Sequence, residues 1–134
     1  MGERKEIGVI PYFEKNNSYR LVIVTAKMHP KRWIFPKGQP ESDKDDRSVA
    51  VNEAFEEAGV IGTIAGKSIK VSYESGGDTV TCKLYPFKVS RVCGEWPEFG
   101  MRKRKIVRPE KASEKLHSAP YAEALERFIK KLIS

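Results

Sequence analysis

Gly38-Gln39-Pro40-Glu41-Ser42-Asp43-Lys44-Asp45-Asp46-Arg47-Ser48-Val49-Ala50-Val51-Asn52-Glu53-Ala54-Phe55-Glu56-Glu57-Ala58-Gly59-Val60 is the stretch on which the reading turns. Asp45 and Asp46 are both suitable N-caps, because a short carboxylate accepts from first-turn amides. Gly59 is a natural stop, since glycine takes the left-handed cap conformation without a Cβ clash. The spacing predicts a helix that starts near Asp45 or Asp46 and stops at Gly59, with Val51, Ala54, Phe55 and Ala58 as its apolar face. At about 100° per residue, Glu53, Glu56 and Glu57 fall within an arc of about 100°, opposite that face. Three unneutralised carboxylates this close repel one another and weaken an isolated helix. A hard divalent cation removes that repulsion, and oxygen ligands suit Mg²⁺ or Mn²⁺. On geometry alone, a solvated acidic face stays open beside the metal site.

The charge distribution adds to the contrast. Between 38 and 60, Glu41, Asp43, Asp45, Asp46, Glu53, Glu56 and Glu57 stand against Lys44 and Arg47, a local net of −5 in a chain of net charge +7. A concentrated acidic segment in a basic protein suggests a cation facing an anionic ligand. Working outward, residues 6–13 and 18–26 read as strands joined through Lys15-Asn16-Asn17. Leu21-Val22-Ile23-Val24 is a continuous apolar run, as expected of a strand covered on both faces. Trp33-Ile34-Phe35 is a short strand ended by Pro36 and Gly38. Residues 68–73 and 79–89 form a hairpin about Gly76-Gly77-Asp78, and 105–107 adds a short strand. A short helix over 110–116 follows Pro109. The last helix begins after Ser118 and Pro120, with Tyr121, Leu125, Phe128, Ile129 and Leu132 as its inner stripe. This order gives an α/β protein, a mixed sheet with helices on its faces. With 134 residues and no linker, a single domain over 1–134 is expected.

The segment resembles the signature of the Nudix hydrolase family, G-x5-E-x7-R-E-U-x-E-E-x-G-U with U aliphatic. Gly38, Glu53, Ala54, Glu56, Glu57, Gly59 and Val60 fall on its places. Lys44 replaces the first Glu and Asn52 replaces the Arg. The flanks are similar too. His29-Pro30-Lys31-Arg32-Trp33-Ile34-Phe35-Pro36-Lys37-Gly38, Glu95-Trp96-Pro97-Glu98, and Arg102-Lys103-Arg104-Lys105 before a helical end resemble the diphosphoinositol and dinucleoside polyphosphate hydrolase branch.

The resemblance implies an α/β/α sandwich and metal-assisted attack of water on a diphosphate joined to some other group. It implies Glu53, Glu56 and Glu57 as catalytic carboxylates and metal ligands, and the Gly38 carbonyl as a backbone ligand. Mg²⁺ is the expected cofactor, with Mn²⁺ as its substitute. The general base is open among Glu53, Glu95 and Glu98. Lys44 would weaken a metal, pair with neighbours around Asp43, or meet a substrate phosphate. The implied substrate is a dinucleoside polyphosphate, a diphosphoinositol polyphosphate or a nucleoside triphosphate. The alternative is a degenerate domain, binding nucleotide or RNA without turnover.

Two basic blocks flank the acidic segment: Lys27, His29, Lys31, Arg32 and Lys37, then Arg102, Lys103, Arg104, Lys105 and Arg108. Arg forks suit bidentate phosphate contacts, and Lys brings mobile charge. The resemblance gives Arg32, Lys37, Arg102 and Arg104 a phosphate-binding role. Strand alternation sends Arg102 and Arg104 to one side and Lys103 and Lys105 to the other; a solvated basic edge is the competing reading. Trp33 is expected in the core, while Trp96 stands between core and base stacking. His29 and His117 lack partners at ligand spacing and read as surface or capping residues.

Composition bounds the remainder. A hydrophobic content of 40% argues against disorder. No apolar run approaches the ~20 residues of a membrane span. No leader-like segment follows Arg4-Lys5-Glu6, and Glu6 stands where a myristoylation motif wants Ser or Thr. Cys82 and Cys93 are expected as reduced packing residues in a cytoplasmic protein. The charge lacks an RNA-reading aromatic motif beside it, so nucleic acid is not the expected partner. A phosphorylated small molecule is, with the chain as monomer or homodimer.

Overall fold

The computed structural model describes residues 2–116 and 119–133. The elements are β1 (Glu3–Lys15), β2 (Ser18–Thr25), β3 (Trp33–Ile34), β4 (Lys37–Gly38), α1 (Asp46–Ala58), β5 (Val60–Ile64), β6 (Ile69–Ser75), β7 (Asp78–Val92), β8 (Arg104–Val107), α2 (Pro109–Lys115) and α3 (Ala119–Ile133). The strands form one mixed sheet. Its path runs β3-β2-β1-β7-β5, with β4 beside β1, β6 beside β7 and β8 beside β2. Strands β1 and β7 are parallel over Glu3↔Thr79 to Tyr12↔Lys88, while β1 and β2 are an antiparallel hairpin. Its turn places Asn16 and Asn17 at φ 52° and 62°, which short polar side chains tolerate better than most.

Side chains alternate across the strands, so the sheet has two apolar faces. Leu21 and Ile23 join Ile10, Phe35, Leu84 and the α2–α3 residues Leu116, Tyr121, Leu125 and Phe128. Val22 and Val24 join Val9, Phe87 and the α1 residues Val49, Ala50, Ala54 and Ala58. Helices therefore cover both faces, giving the α/β/α sandwich.

The buried side of α1 departs from expectation. Val51 and Phe55 are each 38% exposed, whereas Ala50, Ala54 and Ala58 are fully buried and Glu57 is 4% exposed. Small residues let the helix lie close on the sheet, and one carboxylate shares that inner face. Two strands are also absent from the sequence reading: β4, which pairs Ile7↔Gly38 and Gly8↔Lys37, and β5, which pairs with β7. Both cysteines are unpaired, with Cys82 buried. Among the described residues, no helix is long and apolar enough to cross a membrane. His117 lies outside the described residues.

Candidate active site

Helix α1 begins where Asp45 accepts from the Ser48 N–H at 2.8 Å and ends on Gly59 at φ 64°. Those caps fix which residues face β4. A Cβ at Gly38 would overlap the Glu53 carboxyl, so only glycine lets the side chain lie against the strand. One turn on, Glu57 Oε1 accepts from the Lys37 N–H at 3.2 Å, and Oε2 lies 3.7 Å from Arg102 Nη2. Burial raises the proton affinity of Glu57, and its hydrogen-bonded neighbour Glu53 raises it further against the pull of Arg102. Burial is also the main reason Glu53 is raised, with Glu56 and Glu98 adding repulsion. Glu56 is exposed. The site thus brings Glu53, Glu56, Glu57 and Glu98 together, with the Arg102 guanidinium paired to Glu57 and Glu98.

The donors available to a cation are all oxygens: these carboxylates and the Gly38 carbonyl. Among the described residues, no three acidic, His or Cys side chains form a ready-made cage. The two raised carboxyls nevertheless fit a hard divalent ion, because a cation would take the place of protons that burial and like charge now favour.

The other expected residues divide. Arg32 is exposed, and no hydrogen bond or ion pair of its side chain is seen among the described residues. Lys37 Nζ is bound to Glu6, which also accepts from Tyr73 Oη at 2.6 Å. The Arg102 side chain, 9% exposed, donates through Nε to Glu98 at 2.7 Å and through Nη1 to the Thr25 carbonyl at 3.0 Å. Arg104 donates to the Ala58 and Cys93 carbonyls at 2.9 and 2.8 Å. Both arginines face inward while Lys103 and Lys105 are exposed, as strand alternation requires. Lys44 pairs with Glu41 at 3.8 Å, outside the carboxylate group. Glu95 is exposed.

Trp33 and Trp96 line a cavity of about 390 Å³ with Phe99 and the run Arg102-Lys103-Arg104-Lys105. Trp33 is half-buried against the α2–α3 face and lies beneath Lys105 Nζ, 5.5 Å from the ring centroid. Trp96 donates through Nε1 to the Glu57 carbonyl at 3.0 Å. Glu6 and Thr25, which hold Lys37 and Arg102, stand outside every motif in the sequence; the one available signal was the inward alternation of Arg102.

No protein-family model matches the chain. It is 32% identical to Nudix hydrolase 21, chloroplastic, of Arabidopsis thaliana, over 96% of this chain and 67% of that protein. It is 29% identical to diphosphoinositol polyphosphate phosphohydrolase 3-alpha of Homo sapiens, over 87% of this chain and 73% of that protein. The crystal structure of a C. elegans Ap4A hydrolase superposes with a TM-score of 0.80 at 22% identity, covering 96% of this chain and 98% of that one, a likeness of fold. A relative of that identity and coverage, over a shared sandwich, shows that the chain belongs to the Nudix hydrolase family and is a hydrolase of the Nudix type.

Proposed function

We propose that the chain cleaves a diphosphate linkage in a phosphorylated small molecule, with Glu53, Glu56, Glu57 and the Gly38 carbonyl holding a divalent cation. The observation that carries this is the hydrogen-bonded Glu53–Glu57 carboxyl pair, with half-buried Glu53 lying against Gly38 and buried Glu57 held by the Lys37 N–H. A bound Mg²⁺ or Mn²⁺ would supply charge neutralisation at the diphosphate and acidify a water. We assign Glu98 the acceptance of the water's proton: Arg102 fixes its carboxylate, which is 22% exposed. Arg102 itself balances the carboxylates, so phosphate contact falls first to the exposed Arg32, Lys103 and Lys105. The substrate class is a dinucleoside polyphosphate, a diphosphoinositol polyphosphate or a nucleoside triphosphate, in keeping with the names of the human relative and the C. elegans structure. The assignment covers residues 1–134 as one domain in the cytoplasm.

Product release from a panel of such diphosphates, with and without Mg²⁺, tests the reading. Glu56→Gln and Glu57→Gln should each lower turnover at least about tenfold while the far-ultraviolet circular dichroism is kept. Wild-type turnover in the double variant would overturn the cation assignment. A second reading, binding without turnover, draws on Lys44, Asn52 and the lack of a ready-made cage among the described residues. Mg²⁺-dependent binding of the same panel with no product would favour it.

A further inference from the structure

An α-helix leaves its last four carbonyls without partners of its own. In α1 these belong to Phe55, Glu56, Glu57 and Ala58. The Gly59 N–H donates to Phe55 O at 2.9 Å. The other three are met from one segment far along the chain. The Glu98 N–H donates to Glu56 O at 3.0 Å, Trp96 Nε1 to Glu57 O at 3.0 Å, and Arg104 Nη1 to Ala58 O at 2.9 Å. Two of these peptide groups carry the site's own carboxylates. The segment is braced in turn: the Cys93 N–H donates to Gly59 O at 2.8 Å, and Arg104 also donates to Cys93 O. The guanidinium lies over the Trp96 ring, 4.1 Å from its centroid, and that ring rests on Gly59. Helix α1 has no basic residue in its last turn. Arg104 supplies the positive charge that the helix dipole favours there.

We propose that Trp96 and Arg104 are positioning residues that clamp the C-terminal turn of α1 and so fix the Glu56 and Glu57 carboxylates relative to Gly38. They act through main-chain carbonyls and touch neither cation nor substrate. The inference rests on the reading of those carboxylates as cation-holding. It gives Arg104 a role other than phosphate binding, for which the guanidinium would have to leave two carbonyls and an indole face.

The test compares Trp96→Phe, which keeps a ring and loses the Nε1–H donor, with Arg104→Ala. In both, the Mg²⁺ concentration for half-maximal activity should rise about tenfold and kcat should fall, as for other supports of metal ligands. KM at saturating Mg²⁺ should stay within about twofold, because ground-state substrate contacts are untouched. Amide hydrogen exchange should quicken at Gly59, Cys93 and Glu98. Arg127→Ala on α3, which removes a 2.7 Å bond to the Lys70 carbonyl of β6, is the control and should leave the Mg²⁺ midpoint unchanged. A raised KM with an unchanged Mg²⁺ midpoint would make Arg104 a phosphate ligand and overturn the clamp. Where the wild type cleaves nothing, the hydrolase reading fails, and the exchange experiment decides separately. Unchanged exchange at Gly59 and Cys93 in both variants overturns the clamp. Should Arg104→Ala not fold, Trp96→Phe carries the same comparison.

Discussion

Replacing Gly59 with Ala places one methyl group where two demands meet. The residue sits at φ 64°, in the left-handed region. An L-residue there costs about 1–2 kcal/mol. The new Cβ would also lie 2.8 Å from Trp96 Cδ2 and 2.9 Å from its Cβ, closer than carbon atoms pack. The indole has little freedom to yield, because its Nε1 holds the Glu57 carbonyl and Arg104 covers its face. Displacing it forfeits a hydrogen bond worth about 1 kcal/mol, for a total of about 2–3 kcal/mol. Gly76→Ala is the matched reference: φ is 60°, and nothing lies within 4 Å of the added Cβ. It bears the backbone term alone. The two variants should differ by at least about 1 kcal/mol, or about 4 °C in Tm for a chain of this size. Paired thermal melts followed by circular dichroism measure the difference. In a Trp96→Ala background, the excess cost of Gly59→Ala should vanish. Equal losses for Gly59→Ala and Gly76→Ala would show that the indole is not seated on the end of α1.

Glu53 and Glu57 both hold protons more tightly than ordinary carboxyls, chiefly through burial. The folded state then keeps protons that the unfolded chain releases near its value of 4.5, so this contribution to stability is complete below that pH and declines as pH rises toward the folded values. Urea midpoints of the metal-free protein should fall from pH 5 to 8, less steeply with Mg²⁺ or in Glu57→Gln; a metal-free midpoint that holds or rises, with Glu57→Gln parallel to it, refutes the assignment. Lys103→Ala with Lys105→Ala should raise KM more for ligands with more phosphates, and more at low salt, with kcat little changed. Equal effects across a series of two to six phosphates would return these lysines to a solvated edge.

What could be read from the sequence was what local chemistry decides. Gly59 ends α1 as expected and Asp45, one of the two candidate N-caps, starts it, because a cap needs only neighbours: the Ser48 amide for Asp45, a free φ for Gly59. The run Leu21 to Val24 parts its side chains between two faces, because strand geometry leaves no other arrangement. The orientation of α1 was another matter. Val51 and Phe55 outweigh Ala50 and Ala54 by hydrophobicity, but the sheet accepts the flatter alanine stripe. Burial of Glu57 depends on Lys37 and Arg102, partners from β4 and from the segment before β8, and no window of sequence holds both. The short β4 exists only through its pairing with β1. In β5, Gly62 interrupts an otherwise strand-like Val60-Ile61-Gly62-Thr63-Ile64, and the strand starts directly after the helix cap.

The basic run before β8 shows why residue type matters as much as charge. Its inward positions are Arg102 and Arg104, and its outward ones Lys103 and Lys105. An inward cation here has to satisfy several acceptors at fixed angles. Arg102 meets Glu98, Glu57 and the Thr25 carbonyl together, and Arg104 meets two carbonyls while lying flat on an indole. A planar fork with five donors can do this, and an ammonium cannot. Under the proposed function the outward positions carry the opposite requirement, a mobile charge able to follow a flexible polyanion, and lysine suits it. Salt screens exposed charges far more than buried pairs. Ionic strength should therefore act on ligand capture through the lysines and leave the arginine-held carboxylate geometry almost untouched. The basic stretch is, in the fold, two sets of residues, inward arginines and outward lysines, divided by the two-residue period that strand alternation predicts.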